Sequence, residues 1–290
     1  YDVKTANTKK IDLGNYNDFY LARLDWTNEA NTLSAQVLNR HQDNLDLLFI
    51  DGNTGAKKVV LNEKDKAYVD VTDNLTFLKD NSFIWTSEKD GFNHIYQYDK
   101  TGKLKNQITK GNWEVTSYYG FDEKTGTIYY QSVENGSINR DVYSIKLNGS
   151  GKTRLTSSTG TNAATFSPNF QYFINSYSSA KNAPKYTLND SKTGKTIKTI
   201  VSNEALETKL ASYNLPSKEF FELTTTKGNK LNAWMIKPKD FDANKKYPVF
   251  MYQYSGPGSQ QVNNDWNGAD DYWFMMLSQQ GYIIACVDGR

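Results

Sequence analysis

The stretch Leu47-Leu48-Phe49-Ile50-Asp51, followed by the turn Gly55-Ala56-Lys57, recurs in modified form along the first 200 residues. The later copies are Ile95–Asp99 before Gly102, Val142–Ile145 before Gly151, and Tyr186–Asp190 before Gly194. The intervals between the four turn glycines are 47, 49 and 43 residues. Repeats of about 40 to 50 residues with room for four short strands are typical of the blades of a β-propeller.

Through about residue 200, short alternating strands are separated by Asn, Gly, Asp and Lys, and no stretch keeps a helical apolar period. Each small twisted sheet of a propeller buries its faces only against neighbouring sheets, and the Asp-x-x-x-Gly type of turn supplies the positive φ of a tight hairpin. Tyr1–Thr5 resembles the end of an earlier blade. We therefore predict about four blades plus a remnant, which begin partway round a larger ring because closed rings have about four to eight blades.

The pattern changes near residue 200. Asn203–Leu210 has an Asn at the cap position, early acids and a late Lys, which predicts a short helix. Leu215–Lys218 is a predicted linker. The following elements are predicted strands at 219–226, 230–237 and 248–254, a helix at 270–280 and a strand at 282–287. An α/β domain begins in this way, so we predict a partial β-propeller over 1–201 and the truncated start of an α/β domain over 202–290.

Composition excludes several classes of function. The 290 residues include 34 Lys and Arg and 32 Asp and Glu. The chain therefore lacks the large excess of positive charge that is typical of proteins that bind nucleic acid. Apolar runs such as Ile283–Val287 are far shorter than the roughly 18 residues of a membrane span. Cys286 is the only cysteine, and neither His41 nor His94 has a second ligand at metal-binding spacing. We predict no metal, no cofactor and no membrane span.

The most unusual stretch is Tyr252–Gln261, at the carboxyl end of the third strand counted from Glu219. In open α/β sheets, ligands gather at the carboxyl ends of strands, and in α/β-hydrolases one oxyanion donor comes from the loop after the third strand. Tyr254 could supply such a donor, or it could be an amphipathic aromatic residue at a strand end. No G-x-S-x-G motif is present, so no nucleophile is assigned.

From Trp26 to Arg290 the sequence resembles the dipeptidyl peptidase IV subfamily of the prolyl oligopeptidase family of serine peptidases. The most specific elements are Lys110–Val115 (KGNWEV) and Tyr254–Gln260 (YSGPGSQ), in this order. The other matching segments are Asn81–Phe83, Gly91–Ile95, Ile108–Thr109, Leu215–Lys218, Phe241–Asp242, Lys245–Pro248 and Asp288–Arg290.

The resemblance implies an eight-bladed propeller that caps an α/β-hydrolase domain, whose Ser-Asp-His triad releases X-Pro or X-Ala dipeptides from peptide N-termini. It implies that the hydroxyl of Tyr254 helps to bind the oxyanion of the tetrahedral intermediate. Ser259 is interpreted as a turn hydroxyl, and Trp113 and Glu114 as packing residues of a blade. Family members are often exported or membrane-anchored dimers, so we expect an exported bacterial protein that forms a homodimer when intact.

The chain departs from the family pattern at several points. The triad would follow Arg290, and the acidic pair that holds the α-amino group of the substrate would precede Tyr1. An Arg-rich loop of some relatives is replaced by Tyr68–Asn74. We therefore expect the 290-residue chain to be inactive by itself. Two alternatives remain open: a non-catalytic propeller that binds peptides or proteins, and an endo- or acylaminoacyl-peptidase relative.

Overall fold

The first two hundred residues are built from strands. The computed structural model describes residues 1, 3–14, 16–256 and 258–289. Sixteen strands, β1 to β16, lie between Phe19 and Val201, and no helix interrupts them. They form four sheets of four strands, and within each sheet the strands are neighbours in chain order. The prediction of an almost entirely β first part is confirmed, and these sheets are consistent with propeller blades.

The four sheets follow one another along the chain. The first contains β1 to β4, over Phe19–Trp26, Thr32–Asn39, Asn44–Asp51 and Lys57–Lys64. The second contains β5 to β8, over Thr76–Phe77, Phe83–Ser87, His94–Tyr98 and Leu104–Gln107. The third contains β9 to β12, over Val115–Asp122, Thr127–Ser132, Asp141–Lys146 and Thr153–Arg154. The fourth contains β13 to β16, over Thr161–Phe166, Tyr172–Ser178, Lys185–Asp190 and Thr196–Val201.

The repeated turn glycines serve both the turn and the packing of sheets. The carboxylate of Asp51 accepts a hydrogen bond from the backbone N–H of Thr54 at 2.7 Å, and Gly55 follows with a φ of 78°. Gly102 has a φ of 87°, in the left-handed region that favours glycine. A Cβ at Gly102 would lie 1.5 Å from the carbonyl oxygen of Val60 in the first sheet. Glycine is therefore required there by close approach as well as by backbone conformation.

The chain divides into two compact units. The first comprises Tyr1–Tyr129 with Ile145–Lys152, and the second comprises Tyr130–Ser144 with Thr153–Arg290. In the first unit, the apolar core includes these buried residues of the first two sheets: Leu38, Leu45, Leu47, Val60, Phe83, Trp85, Tyr96 and Tyr98. The predicted division of the chain after residue 201 stays a prediction.

The start of the chain, which resembles the end of a blade in sequence, does not form a strand in its described residues. Residues 3–6 form turns, and Asp2 lies outside the described residues. Val3 is 84% exposed, so an extended segment at this position would bury little apolar surface in return for the entropy of ordering it.

Helix α1, over Glu204–Ser212, begins close to the predicted position but without the predicted cap. Asn203 has a left-handed φ of 58°, and its side-chain amide donates to the carbonyl oxygen of Pro184 at 2.5 Å. The prediction of an Asn203 side-chain cap is wrong because the turn from β16 into α1 directs this amide elsewhere.

The last part of the chain forms a fifth sheet with one helix. Its elements are β17 (Lys218–Thr224), β18 (Lys230–Ile236), β19 (Val249–Tyr252), α2 (Gly268–Gln279) and β20 (Ile283–Val287). The strand order is β17-β18-β20-β19, and only the β19–β20 pair is parallel among the described pairings of this sheet. The predicted strands and helix are all present, with ends that differ by at most two residues. Among the described residues, neither helix has the length and apolar character needed to span a bilayer.

Candidate active site

Tyr254 lies beyond the carboxyl end of β19. Because β19 and β20 are parallel, with Tyr252 paired to Cys286, the carboxyl ends of both strands meet at one edge of the sheet. Tyr254 follows two residues after β19 and is 61% exposed. The chain thus presents a tyrosine side chain at the edge where ligands of α/β sheets are bound.

The Tyr254 turn, residues 254–259, closes on itself through Ser259. The hydroxyl of Ser259 donates to the carbonyl oxygen of Gly256 at 2.7 Å and lies 3.3 Å from that of Tyr254. Ser259 is therefore a turn hydroxyl in the structure. A Cβ at Gly256 would lie 2.9 Å from the hydroxyl oxygen of Tyr254, so the tyrosine ring lies against this glycine. Pro257, part of the motif noted in the sequence, lies outside the described residues.

Asp288 fixes the chain just after the Tyr254 turn. Its carboxylate accepts from the backbone N–H of Gln261 at 2.7 Å and from that of Val262 at 3.1 Å. Its own N–H donates to the carbonyl oxygen of Asn232 in β18 at 3.0 Å. One side chain at the end of β20 therefore ties the loop that follows β19 to the sheet.

Two further contacts hold the same loop over the sheet. The indole N–H of Trp234 donates to the carbonyl oxygen of Gln261 at 3.2 Å, and the hydroxyl of Tyr252 donates to its side-chain oxygen at 3.0 Å. Trp234 is buried in the core between the sheet and α2, where its ring lies 5.6 Å from that of Phe274. The segment that follows the Tyr254 turn is thus anchored to a buried residue of this sheet.

The segment after the turn also contacts a loop between β10 and β11. We call residues 260–264 the Gln260 segment and residues 137–140 the Arg140 loop. Within the second compact unit, Gln260 accepts a hydrogen bond from the guanidinium of Arg140 at 2.5 Å, and the N–H of Asn264 donates to the carbonyl oxygen of Ile138 at 2.8 Å.

The core of this sheet contains a buried ion pair, Lys218–Asp271, and the buried thiol of Cys286. Lys218 and Asp271 form an ion pair with 2.8 Å between Nζ and Oδ1, and both side chains are more than 90% buried. Lys218 also lies 4.8 Å from the centre of the Trp234 ring. Burial, together with the charge of Asp288, raises the pKa of the Cys286 thiol to about 11. The single cysteine is therefore a packed, protonated core residue at neutral pH rather than a nucleophile.

The other residues singled out in the sequence belong to the first compact unit. His94 is fully buried, and its ring nitrogens lie 3.1 Å from the hydroxyl of Thr109 and 3.0 Å from the carbonyl oxygen of Gly111. Trp113 packs edge-on against His94, with 4.9 Å between ring centres. His94 of β7 thus packs against the half-buried Trp113, which lies between β8 and β9. Glu114, which follows Trp113 in sequence, is half-buried. His41 is exposed in a turn.

The described residues contain no group of three or more His, Cys, Asp or Glu side chains that could hold a metal ion. A cavity of about 290 Å³ in the second unit has Trp266, Tyr272, Leu215 and Lys239 among its lining residues. None of its lining residues belongs to the Tyr254 turn, so the cavity and Tyr254 are separate features.

Sequence reasoning identified Tyr254 but missed the residues that hold it. Asp288 was noted only as part of a matching segment, Gly256 only as part of a motif, and Arg140 not at all. An acid directly after a parallel strand is a usable signal, because it can accept from the amides of the neighbouring strand's loop. Arg140 has no such signal, since 120 residues separate it from Gln260.

Known proteins resemble the chain over most or all of its length. Residues 1–184 match the family model described as the dipeptidyl peptidase IV N-terminal region. Dipeptidyl peptidase 4 of Trichophyton equinum is 33% identical over 287 residues, which cover 94% of this chain and 36% of that protein. Dipeptidyl peptidase 4 of Trichophyton rubrum is 32% identical over the same length.

The crystal structure of Porphyromonas gingivalis dipeptidyl peptidase 4 is similar over 100% of this chain and 41% of its own, with a TM-score of 0.94 and 41% sequence identity. The chain therefore spans well under half the length of the relatives it matches. Because the family model matches more than half of the chain and the fold agrees over all of it, the chain belongs to the dipeptidyl peptidase IV family.

Proposed function

We propose that the chain is part of a serine-type exopeptidase that releases X-Pro or X-Ala dipeptides from the N-termini of peptides. In this proposal Tyr254 donates its hydroxyl hydrogen bond to the oxyanion. The four antiparallel sheets are the later blades of an eight-bladed propeller, and the fifth sheet begins an α/β-hydrolase domain. The intact protein is exported from a bacterium and forms a homodimer.

The placement of Tyr254 carries the proposal. Tyr254 is 61% exposed at the carboxyl edge of a parallel strand pair, in a turn that Ser259 closes, and Asp288 ties the segment after this turn to the sheet. An oxyanion donor must be held before the reaction in the place where negative charge develops, because reorganisation during the reaction would cancel its benefit. A donor on a loop tied to two strand ends meets this requirement.

The strand order supports the hydrolase assignment. In β17-β18-β20-β19 the chain crosses over through α2 before β20 inserts between β18 and β19. All four residues of β19 are exposed, including Val249 at 58% and Met251 at 54%. An edge strand of this apolar character favours a sheet that continues past β19, as in larger α/β sheets.

In the proposed reaction, a serine Oγ outside this chain attacks the carbonyl carbon of the second residue of the substrate. A histidine takes the serine proton, and the carbonyl π electrons move to oxygen. The Tyr254 O–H and one backbone N–H donate to that oxyanion. The C–N bond then breaks, the histidine protonates the departing amine, and water hydrolyses the acyl-enzyme.

The test uses the full-length protein and a Gly-Pro p-nitroanilide substrate. We expect release of p-nitroaniline by the full-length protein, none by the 290-residue chain, and a kcat about 10²-fold to 10³-fold lower for Tyr254→Phe, the typical loss for one oxyanion donor. Tyr282→Phe is the matched control and should leave kcat unchanged, because Tyr282 is an exposed tyrosine at the amino end of β20, away from the carboxyl edge of the sheet.

The alternatives give different results in the same assay. Cleavage of an N-acetylated Gly-Pro anilide at an equal rate would favour an endo- or acylaminoacyl-peptidase. No cleavage of either substrate by well-folded full-length protein would favour a propeller that only binds peptides. Turnover by the 290-residue chain alone would contradict the assignment of the nucleophile to sequence outside it.

A further inference from the structure

The Arg140 loop forms hydrogen bonds with both polar groups of the Gln260 side chain. The guanidinium Nη2 of Arg140 donates to Oε1 of Gln260 at 2.5 Å. The Nε2 of Gln260 donates in turn to the carbonyl oxygen of Ser137 at 2.9 Å. Both polar atoms of this carboxamide are therefore held by residues from one loop, which fixes its position as well as its orientation.

Arg140 is itself fixed. Its Nη1 donates to the carbonyl oxygens of Ser137 at 2.8 Å and Asn139 at 3.1 Å, so the guanidinium closes its own loop before it reaches Gln260. The planar guanidinium presents these donors in a fixed geometry, which a lysine ammonium cannot reproduce. Its Nη2 also lies 3.5 Å from Oδ1 of Asn263.

Gln260 directly follows Ser259, the residue that closes the Tyr254 turn. The Tyr254 turn thus follows β19, and it is followed by Gln260, whose side chain is held by the Arg140 loop. Other contacts of the loop fall farther along: the side chain of Asn264 donates to that of Asn139 at 3.0 Å, and Asn232 donates to Ser137 at 2.8 Å. Those contacts do not use the Arg140 guanidinium, whereas the bond to Gln260 at the base of the turn does.

We infer that Arg140 is a positioning residue, which acts through Gln260 to hold the Tyr254 hydroxyl where the oxyanion forms. This inference rests on the proposed function. It assigns a catalytic effect to a residue of a β10–β11 loop, outside the α/β sheet that bears the tyrosine. Displacements of about 1 Å at a reacting centre cost up to about 10²-fold in rate, so a loosened turn lowers kcat while substrate binding is kept.

The test is a double-mutant cycle in the full-length protein with Gly-Pro p-nitroanilide. We expect Arg140→Met to lower kcat about 10-fold with KM changed less than twofold. Arg140→Lys should recover part of the loss, and Gln260→Leu should reproduce it. In the Tyr254→Phe background, Arg140→Met should have little further effect, because the group that it positions is already absent.

Arg154→Met is the matched control. Arg154 forms an ion pair at 2.9 Å with Asp141, the residue that follows Arg140. Among the described residues, Arg154 has no hydrogen bond to the Gln260 segment. We expect it to lower thermal stability without changing kcat. The inference would be overturned if Arg140→Met lowered kcat equally in the wild-type and Tyr254→Phe backgrounds. It would also be overturned if Arg140→Met left the kcat of the otherwise wild-type protein unchanged.

A readout independent of activity separates this inference from the proposed function. Hydrogen exchange of the backbone amides at 255–262 should become faster in Arg140→Met and stay unchanged in Arg154→Met. If the wild-type protein does not cleave the Gly-Pro anilide, the proposed function fails. The exchange measurement then still tests whether Arg140 holds the turn in place. Unchanged exchange in Arg140→Met would overturn the positioning role in either case.

Discussion

The ring of Tyr254 lies against a residue that has no side chain. A Cβ at Gly256 would come within 2.9 Å of the tyrosine hydroxyl oxygen and 3.0 Å of Cζ. Real Cβ contacts are almost never so short, so any larger residue at 256 moves the ring. Gly256 therefore has a role in the orientation of the hydroxyl rather than in the stability of the fold.

This geometry predicts that Gly256→Ala separates activity from stability. The free end of the tyrosine can swing into solvent, so the free energy of unfolding should change by less than about 0.5 kcal/mol, as at most surface positions. The hydroxyl would leave its place, and kcat of the full-length protein should fall about 10-fold. The measurements are urea denaturation and Gly-Pro anilide kinetics. Unchanged kcat would mean that the ring position in the structure is not the active one.

Between elements, the buried ion pair of Lys218 and Asp271 joins the start of β17 to the first turn of α2. The two residues are 4% and 5% exposed, and Lys218 also contacts the Trp234 ring. Removing one partner leaves the other charge buried without compensation, whereas replacing both with apolar groups avoids that cost.

We therefore expect Lys218→Met to lower the free energy of unfolding by about 3 to 5 kcal/mol, and Lys218→Met with Asp271→Leu to lower it much less. The matched control is Lys237→Met at the same end of this strand pair, because Lys237 and Glu219 form an ion pair at 2.7 Å whose side chains are 29% and 52% exposed. That change should cost less than about 1 kcal/mol. Urea denaturation measures all three, and a double variant as unstable as the single one would contradict this account.

At the scale of the whole molecule, a single thiol reports on the packing of the second compact unit. Cys286 is fully buried, pairs with Trp234 across β18 and β20, and belongs to an apolar cluster that includes Phe274 and Met275 of α2. Burial raises its pKa from the ordinary value of 9.0 to about 11. Since only the thiolate reacts with alkylating agents, both access and protonation protect it.

We expect iodoacetamide to label the native protein very slowly at pH 8. A rise of about two pKa units lowers the thiolate fraction about 100-fold at that pH, and steric burial slows the reaction further. The rate should climb towards pH 11 and should reach that of an ordinary thiol in denaturing urea. Mass spectrometry follows the labelling. Fast labelling of native protein at pH 8 would show that β20 is less well packed than the structure describes.

Much of the fold could be predicted from sequence because its signals are local. The turn glycines recur because a tight turn needs positive φ, and the strand ends after residue 215 were placed within one or two residues. Asn203 is the exception. Its identity suggested a cap, but the partner of its amide is Pro184, which is 19 residues distant. A choice between two hydrogen-bond partners of one side chain depends on tertiary geometry that propensity does not contain.

The repeat, the change to an α/β pattern and the position of Tyr254 after a strand can all be read from the sequence, since each depends on residues close together in the chain. The residues that hold Tyr254 are identified only in the folded structure. Asp288 lies 26 residues beyond Val262, and Arg140 lies 120 residues before Gln260. Hydrogen bonds over such separations exist only after the strands have paired and the loops have met, so no local pattern specifies which residues become partners.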